Sequence, residues 1–394
     1  MASVLVFLFQ HRATNLTSVA WPSGRPSAEP SGARPSGRPS RAPAERNAAV
    51  PSAAFVAQGN RRNISSLSNP EEHVVQGSVG GAVAPSPNRT IVVVLGSLRG
   101  GEEAWASLEK NVLDPSGADL ALLVPQPDGS AARSSLHARA RYLWHYRDYD
   151  DWGEAVDLIP THPPGNLTPW RTLAEREAAL IRLRGHPMRN PSIFGGVRGH
   201  GASGAVIFML RWFLQEQIRR HGLTSQYDRF VVTRSDHYYE CTHNASAFPV
   251  HGKQLFVPEG QWYRGRTDRH LVVGNHNVLN ALDVYPTFFA TEWIQNYSEG
   301  GIMNTEILLH RVWREKGLAP QPFPRVMFTV ARASDSTRWR RATVPVPHKE
   351  NLFIKYPTDS GGGPGEYTLA QRTCHPDKVV ELPKRKKIAT VRLA

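Results

Sequence analysis

Residues 89–113 read RTIVVVLGSLRGGEEAWASLEKNVL, and this stretch decides the class of fold. The apolar run Ile91–Leu95 lacks polar alternation, which is typical of a strand covered by protein on both faces. A glycine-rich loop follows, and after it apolar residues recur at helical spacing. A second apolar run, DLALLVP at 119–125, completes a strand–loop–helix–strand unit. The stretch therefore predicts a βαβ unit in a sheet that is at least partly parallel.

The alternation of apolar runs and helical patterns continues to about residue 330. Further strands are predicted at 229–233, 254–258, 269–275 and 326–330. Helices are predicted at 133–149, 172–184, 205–221, 276–297 and 303–317. This order predicts an α/β domain, Rossmann-like and doubly wound, with a mixed, mostly parallel sheet flanked by helices.

The net charge of +13 lies mostly at the two ends of the chain. Residues 1–62 carry eight Arg and two Glu, and residues 378–394 carry six Lys or Arg and one Glu, which leaves +2 for residues 63–377. A nucleic-acid-binding domain carries its positive charge on its folded face. The distribution therefore predicts solvated basic tails and no nucleic-acid partner.

The N-terminal region has the composition of a disordered stem. Residues 20–52 are rich in Pro, Ser, Gly, Arg and Ala, a composition that buries too little apolar surface to offset the entropy of ordering. We expect disorder over residues 1–88. The apolar run Val4–Phe9 is too short to span a bilayer and has no basic segment before it. It is either a truncated or divergent membrane anchor or a chance apolar cluster in a soluble protein.

Two features bear on the cell compartment. Asn-x-Ser/Thr sequons exceed the roughly two that chance would give, which favours a secretory lumen; they begin at Asn15, Asn63, Asn88, Asn166, Asn244 and Asn296. Cys241 and Cys374 are the only cysteines, so no cysteine-based zinc site can form. They form either one disulfide or two buried thiols.

The strand predicted at 229–233 ends in charged residues. In RFVVTRSDHYYEC, residues 229–241, Arg234 and Asp236 follow the apolar run, and Arg99 follows the first strand. Ligands of open α/β sheets bind at the carboxyl ends of the strands. We therefore expect these side chains to hold a diphosphate, with Mg²⁺ or Mn²⁺ ligated by Asp236. The alternative is a purely structural ion pair between Arg234 and Asp236.

Five segments resemble, in order, those of a group of largely uncharacterised GT-A-like glycosyltransferases. In YDRFVVTRSDHYY (227–239), Arg-x-Asp stands where better-known GT-A enzymes have the Asp-x-Asp that holds the donor diphosphate and its metal. The other four segments are VLGSLRGGEEAWASLEKNVLDPSGADLALLV (94–124), YDDWGEAVD (149–157), VPEGQWYRGRTDRHLVVG (257–274) and NTEILLHRVWREKGL (304–318). The resemblance covers about residues 90–330.

This resemblance implies a GT-A glycosyltransferase domain over residues 89–333, after the stem and before a C-terminal extension and basic tail at 334–394. It implies transfer of a sugar from a nucleotide-sugar donor to an acceptor hydroxyl of a glycan, glycoprotein or glycolipid. The implied catalytic residues are Asp268 and Glu306, and Asp236 is the implied ligand of the divalent cation. The implied donor-binding residues are Arg99, Gly100, Arg234, Asp236, Arg269 and His270.

Structural alternatives stand beside these roles. Asp268 and Arg269 fit a turn ion pair, His270 fits a packed strand-end histidine, and Glu306 fits a first-turn acid stabilised by the helix dipole. RGHGASG (198–204) is either a phosphate cradle or an ordinary glycine-rich start of a helix. The first aspartate of the Asp-x-Asp motif is missing. Arg234 or Arg269 is therefore an alternative to a metal ion for neutralising the leaving diphosphate.

Two other functions remain open. A sulfotransferase-like lumenal enzyme fits the strand–loop–helix of VVVLGSLRGGEEAW (92–105), although that loop lacks a Lys or a run of Ser/Thr for the phosphosulfate. The missing aspartate also fits a non-catalytic carbohydrate-binding relative. The stem and the sequons resemble the layout of Golgi transferases, so we expect the Golgi or another secretory lumen, as a type II membrane protein if the N-terminus anchors the chain.

Overall fold

The computed structural model of the chain describes residues 88–126, 134–160, 167–183, 192–299, 303–335, 342, 344–358 and 363–378. The strands are β1 (Thr90–Leu95), β2 (Asp119–Pro125), β3 (Tyr142–Tyr146), β4 (Arg229–Thr233), β5 (His237–Tyr239), β6 (Gln254–Pro258), β7 (Leu271–Gly274), β8 (Ala319–Phe323), β9 (Met327–Arg332), β10 (Val344–Pro345) and β11 (Leu352–Ile354). The helices are α1 (Gly101–Leu108), α2 (Asp114–Ser116), α3 (Ser135–Arg139), α4 (Gly153–Val156), α5 (Trp170–Leu183), α6 (Gly204–Arg220), α7 (Asn275–Leu282), α8 (Val284–Ala290), α9 (Glu292–Glu299), α10 (Thr305–Glu315) and α11 (Glu366–Cys374).

The larger sheet has seven strands in the order β3-β2-β1-β4-β7-β6-β8. β1 pairs in parallel with β2 and β4, β2 with β3, and β6 with β8, whereas β7 runs antiparallel to both β4 and β6. The four inner residues of β1, Ile91–Val94, are fully buried, as expected of a strand covered on both faces. The prediction of an α/β fold with a mixed, mostly parallel sheet is confirmed.

The order of the strands creates a crevice beside β1. From β1 the chain moves outward through β2 to β3, and it then returns to place β4 on the opposite side of β1. The sheet order therefore reverses between β1 and β4, whose carboxyl ends lie at the same edge. Such a switch point is where open α/β sheets bind their ligands.

A second, antiparallel sheet lies next to this edge, with the order β10-β11-β9-β5. β5 begins at His237, only four residues after β4 ends at Thr233, so the two sheets meet at the strand end that carries the charged motif. A separate apolar cluster under this sheet includes Phe328, Ile354 and Tyr367. Residues 344–378, where described, are thus packed into the α/β domain, although the sequence suggested an extension beyond residue 333.

The two cysteines form a disulfide in the structure. Cys241 follows β5, and Cys374 ends α11, 133 residues later in the chain. The bond ties the last described helix to the loop that leaves the second sheet. The alternative of two buried thiols is therefore wrong.

Two of the predicted helices were wrong, and the strand β8 was not predicted. The helix predicted at 133–149 is a short helix, α3, followed by β3, because the aromatic residues of β3 pair with β2 and this pairing overrides helix propensity. The helix predicted at 276–297 is broken at Asp283 and Thr291, whose backbones are not helical. β8 was missed because it contains Pro320 and Pro322, which are tolerated in an edge strand.

Residues 1–87 of the predicted stem, with its apolar start, lie outside the described residues, as does the basic tail after Lys378. Within the described ranges, no helix combines the length and the apolar character needed to cross a bilayer.

Candidate functional site

A cleft of about 1180 Å³ opens where β1 and β4 end. It brings together most of the residues singled out from the sequence, because Arg99, Arg234, Asp236, Asp268, Arg269 and Glu306 all line it. Its wall also includes residues that the sequence did not suggest, namely Tyr146, Arg211, Tyr263, Lys355 and Tyr356. The cleft is therefore rich in cations, carboxylates and tyrosines.

The two strand ends are tied to each other by hydrogen bonds between one side chain and the opposite backbone. The hydroxyl of Ser235, after β4, accepts a hydrogen bond from the Arg99 N–H at 2.8 Å and donates one to the Ser97 carbonyl at 3.1 Å. Gly100 has a φ of 82°, and a Cβ at this position would lie 3.1 Å from the Asp236 Cα. Gly100 does not line the cleft itself, but the absence of a side chain allows the Arg99 loop to pack against Asp236.

Asp236 is buried and held by Arg234. The Arg234 Nε donates to Asp236 Oδ1 at 2.7 Å, and its Nη2 donates to Oδ2 at 2.6 Å. Burial by itself would raise the pKa of Asp236, but the Arg234 charge and its hydrogen bonds lower that pKa below its usual range. The carboxylate is thus ionised at neutral pH, and both of its oxygens already accept a bidentate arginine.

The surroundings of Asp236 do not suit a divalent cation. Such a metal ion needs several oxygen ligands, and Arg234 occupies both oxygens of this carboxylate. Across the described part of the chain, no group of three or more Asp, Glu, His or Cys side chains is arranged to hold a metal. The residues present do not support the expected role of Asp236 as a metal ligand.

Lys355 adds a cation that the sequence analysis missed. It follows β11, is 5% exposed, and its Nζ lies 3.9 Å from Asp236 Oδ2. Burial and the charges of Arg234, Arg99 and Arg269 together lower its pKa to about 8, against the opposing effect of Asp236. A buried lysine surrounded by other cations is a site that an anionic ligand would stabilise.

Arg269 is fixed from behind by a carboxylate of α11. Its Nη1 donates to Glu366 Oε1 at 2.6 Å, and its guanidinium stacks over the Tyr356 ring at 3.9 Å from the centroid. Burial alone would raise the pKa of Glu366, but Arg325 and Arg269 lower it to about 2. Glu366 is fully buried, so it acts as a positioning residue for Arg269 and does not reach the cleft itself.

Two carboxylates, Asp268 and Glu306, line the cleft beside a tight contact between a loop and a helix. Gly265 lies so close to the start of α10 that a Cβ there would sit 1.9 Å from the Glu306 carbonyl oxygen. Asn304 caps α10 by accepting from the Ile307 N–H at 2.7 Å, so its role is structural. Burial raises the pKa of Glu306 to about 7, and the negative charge of Asp268 contributes to this rise. Glu306 can therefore exchange a proton near neutral pH.

His270 lies behind the cleft and does not line it. Its Nδ1 lies 3.0 Å from the Thr233 hydroxyl, and its Nε2 lies 3.1 Å from Nε2 of His243. His237 contacts the same hydroxyl at 3.1 Å. Arg269 lines the cleft, whereas His270, the next residue in the loop before β7, is buried against Thr233 and His243. The structure thus gives His270 a packing role instead of the donor-binding role suggested by the resemblance.

The three buried histidines predict that the protein is unstable to mild acid. Burial lowers the pKa of His237 to about 3 and that of His243 to about 4, and it lowers that of His270 well below its usual range. Below pH 6.5 the unfolded chain therefore binds more protons than the folded protein does. The free energy of unfolding falls as the pH falls, by about 1.4 kcal/mol per pH unit for each histidine. Urea unfolding at pH 7.5, 6.0 and 5.0 measures this dependence of the free energy of unfolding on pH.

A matched pair of variants tests this cause. His243→Phe should reduce the slope of this dependence by about one third, since it removes one of the three buried histidines. Phenylalanine should fit at this position, because His243 stacks on the Phe323 ring. His276→Gln should leave it unchanged, because His276 is exposed on α7. A free energy of unfolding that stays constant between pH 7.5 and 5.0 would contradict the prediction.

The glycine-rich segment RGHGASG contributes only its end to the cleft. Ala202, Ser203 and Gly204 line the cleft, and α6 begins at Gly204. The Ser203 side chain makes no capping hydrogen bond. A phosphate cradle formed by the whole segment is not observed, but the positive end of a 17-residue helix opens onto the site.

Comparison with known proteins adds no identity. No protein-family model matches the sequence, and no curated protein is similar enough to count as a relative. The evidence for a function is therefore the cleft itself.

Proposed function

We propose that the chain is a GT-A-like glycosyltransferase that moves a sugar from a nucleotide-sugar donor to an acceptor hydroxyl. The observation that carries this proposal is that side chains from four separate segments line one cleft at the strand ends: Arg99, Arg234 with Asp236, Asp268 with Arg269, and Glu306. Cations for a diphosphate thus stand beside carboxylates for acid–base chemistry, with tyrosines for stacking on rings.

The diphosphate of the donor binds to protein cations. Arg99 makes no side-chain ion pair among the described residues, and Lys355 has only a distant one with Asp236. Arg234 keeps Asp236 ionised, so this buried carboxylate offsets part of the positive charge of the cleft and holds the arginine in place. Lys355 and Arg99 are then the cations that neutralise the leaving diphosphate, as positive groups do in metal-independent transfer.

The reaction is a direct displacement with Glu306 as the general base. The acceptor hydroxyl gives its proton to the Glu306 carboxylate while its oxygen forms a bond to the anomeric carbon of the donor sugar. The bond from that carbon to the diphosphate oxygen breaks, and the nucleoside diphosphate leaves with both electrons. The pKa of about 7 suits Glu306 to this task. Asp268 raises that pKa and lines the same part of the cleft. This course inverts the configuration at the sugar.

Two observations support a secretory lumen as the place of action. A disulfide persists in oxidising compartments. The three sequon asparagines within the described residues, Asn88, Asn244 and Asn296, are all exposed, so an oligosaccharide has access to each. Both fit a lumenal transferase, and sequencing of attached glycans on protein secreted from eukaryotic cells tests this placement.

The function is tested by donor turnover. The full chain is incubated with a panel of nucleotide sugars, with EDTA or with Mn²⁺, and adenosine phosphosulfate serves as the control donor. Release of a nucleoside diphosphate in EDTA supports the proposal. Transfer of sulfate would favour a sulfotransferase, and glycan binding without any turnover would favour a non-catalytic carbohydrate-binding protein.

Replacing Lys355 by methionine should lower kcat/KM for the donor by about 100-fold, since a charge that stabilises the leaving group is lost. The fold should survive, because Lys355 is a buried cation with a lowered pKa and its removal ends a desolvation cost. Initial rates across donor concentrations, with thermal unfolding of the same sample, measure both effects.

The matched control is Lys349→Met, in the turn between β10 and β11, where the lysine does not line the cleft. It should leave kcat/KM unchanged. Equal activity of the Lys355 variant and the wild type would remove Lys355 from the diphosphate site.

A further inference from the structure

Arg211 is a buried arginine of the cleft that has no carboxylate partner among the described residues, unlike the buried Arg269. Arg211, on α6, is 2% exposed and lines the cleft. Its Nη2 donates to the Asp268 carbonyl oxygen, but its Nη1 has no hydrogen-bond partner among the described residues. By contrast, Arg234 is paired with Asp236, and Arg269 is paired with Glu366.

Burying a guanidinium without a counterion costs free energy, so the position of Arg211 points to a ligand that supplies the negative charge. Burial lowers the pKa of Arg211, and the Asp268 charge opposes this only from beyond ion-pair distance. Proteins rarely keep a buried cation unpaired unless a ligand supplies the negative charge. The N-terminus of α6, at Ser203 and Gly204, opens onto the same cleft without a side-chain cap and adds its positive dipole end.

We propose that Arg211 binds a carboxylate on a substrate sugar, so that the enzyme acts on a uronic acid or a similar acidic sugar. This rests on the proposed function, which puts the reacting sugar beside Asp268 and Glu306. Arg211 contacts the Asp268 backbone and therefore reaches the sugar rather than the nucleotide. A carboxylate suits a planar guanidinium and carries one charge, whereas the two nearby carboxylates would repel a phosphate dianion more strongly.

The subsite is tested with monosaccharide probes on the full chain. Ligand-observed NMR titrations give the Kd of methyl β-glucuronoside, of neutral methyl β-glucoside, and of UDP. We expect the glucuronoside to bind about ten-fold more tightly than the glucoside. Arg211→Met should abolish this preference and leave the Kd of UDP unchanged.

Two further variants keep the test decisive. Arg229→Met makes the same change at a buried arginine outside the cleft and should preserve the preference. If Arg211→Met does not fold, Arg211→Lys is tested in its place. A lysine cannot bind a carboxylate in the bidentate way that an arginine can, so it should weaken the preference for the glucuronoside. Equal binding of the two sugars, absence of glucuronoside binding, or a preference that survives in the folded Arg211 variant overturns the subsite.

The two proposals fail in distinguishable ways. UDP binding without a preference for the glucuronoside removes the acidic-sugar subsite and leaves the nucleotide-sugar transferase. A preference that depends on Arg211 in a protein that binds no nucleoside diphosphate supports the subsite and removes the transferase.

Discussion

Replacing Glu306 by glutamine should lower kcat by about 10²–10⁴-fold, the usual loss when a general base is removed. Glutamine has nearly the same shape, and its carbonyl oxygen can still accept from the Thr305 hydroxyl, which donates to Glu306 Oε2 at 2.9 Å. The change therefore removes the proton acceptor and keeps the packing. Donor affinity, measured as the Kd of the nucleoside diphosphate, should stay the same.

The pH dependence gives a second signature of the same residue. In the wild type, kcat/KM should rise with pH through the Glu306 pKa of about 7, because only the ionised carboxylate accepts a proton. It should fall again as Lys355 loses its proton at a pKa of about 8. Glu306→Gln should lack the rise and keep the fall, since it contains no group that titrates near pH 7 at this position.

Stability separates a catalytic role from a structural one. The folded-state pKa of Glu306 lies above the ordinary value, so the stability it contributes at low pH is lost as the pH rises through 7. Glu306→Gln should therefore be at least as stable as the wild type at pH 8. Glu315→Gln, in the last turn of the same helix, is the matched control and should change neither rate nor stability. A Glu306 variant with full activity would show that the reaction uses no base here.

Removing the disulfide between Cys241 and Cys374 should destabilise the protein by about 5 kcal/mol, because the bond closes a loop of 133 residues. The melting temperature should fall by about 10–20 °C for a domain of this size. The effect reaches the cleft, since α11 begins with Glu366, the partner of Arg269, and ends with Cys374. Thermal unfolding of the Cys241→Ala, Cys374→Ala double variant measures the loss.

The controls for this prediction are internal to the chain. Each single cysteine variant should lose as much stability as the double variant, because either one breaks the bond. Dithiothreitol should lower the melting temperature of the wild type and leave that of the double variant unchanged. Equal melting temperatures of the oxidised wild type and the double variant would show that the bond contributes nothing to the fold.

The sequence located the centre of the candidate site for a simple geometric reason. Arg99 and Arg234 each follow an apolar strand, and the carboxyl ends of neighbouring parallel strands lie at one edge of a sheet. No such strand end precedes Asp268, Arg269 or Glu306. Only the family resemblance suggested these three as site residues. His270 illustrates the limit of a motif, because it is buried behind the cleft although its neighbour Arg269 lines it.

The residues that were missed depend on contacts distant in sequence. Lys355 enters the cleft only because β11, three residues long, pairs with β9. The run Leu352–Ile354 followed by Lys355 repeats the pattern of β4 and its charged end, and this signal was available. Arg211 could also have been noticed in the sequence, because it is a charged residue on the buried face of α6, between Phe208 and Leu214.

The central claim is that protein cations in this cleft bind a nucleoside diphosphate without a metal ion. Isothermal titration of UDP, GDP and ADP into the full chain in EDTA tests it directly, with Lys355→Met beside the wild type. We expect saturable binding of at least one nucleotide, unchanged when Mn²⁺ replaces EDTA and weakened by about 100-fold in the variant. Absence of binding by all three nucleotides, or binding that requires the metal, would contradict the account.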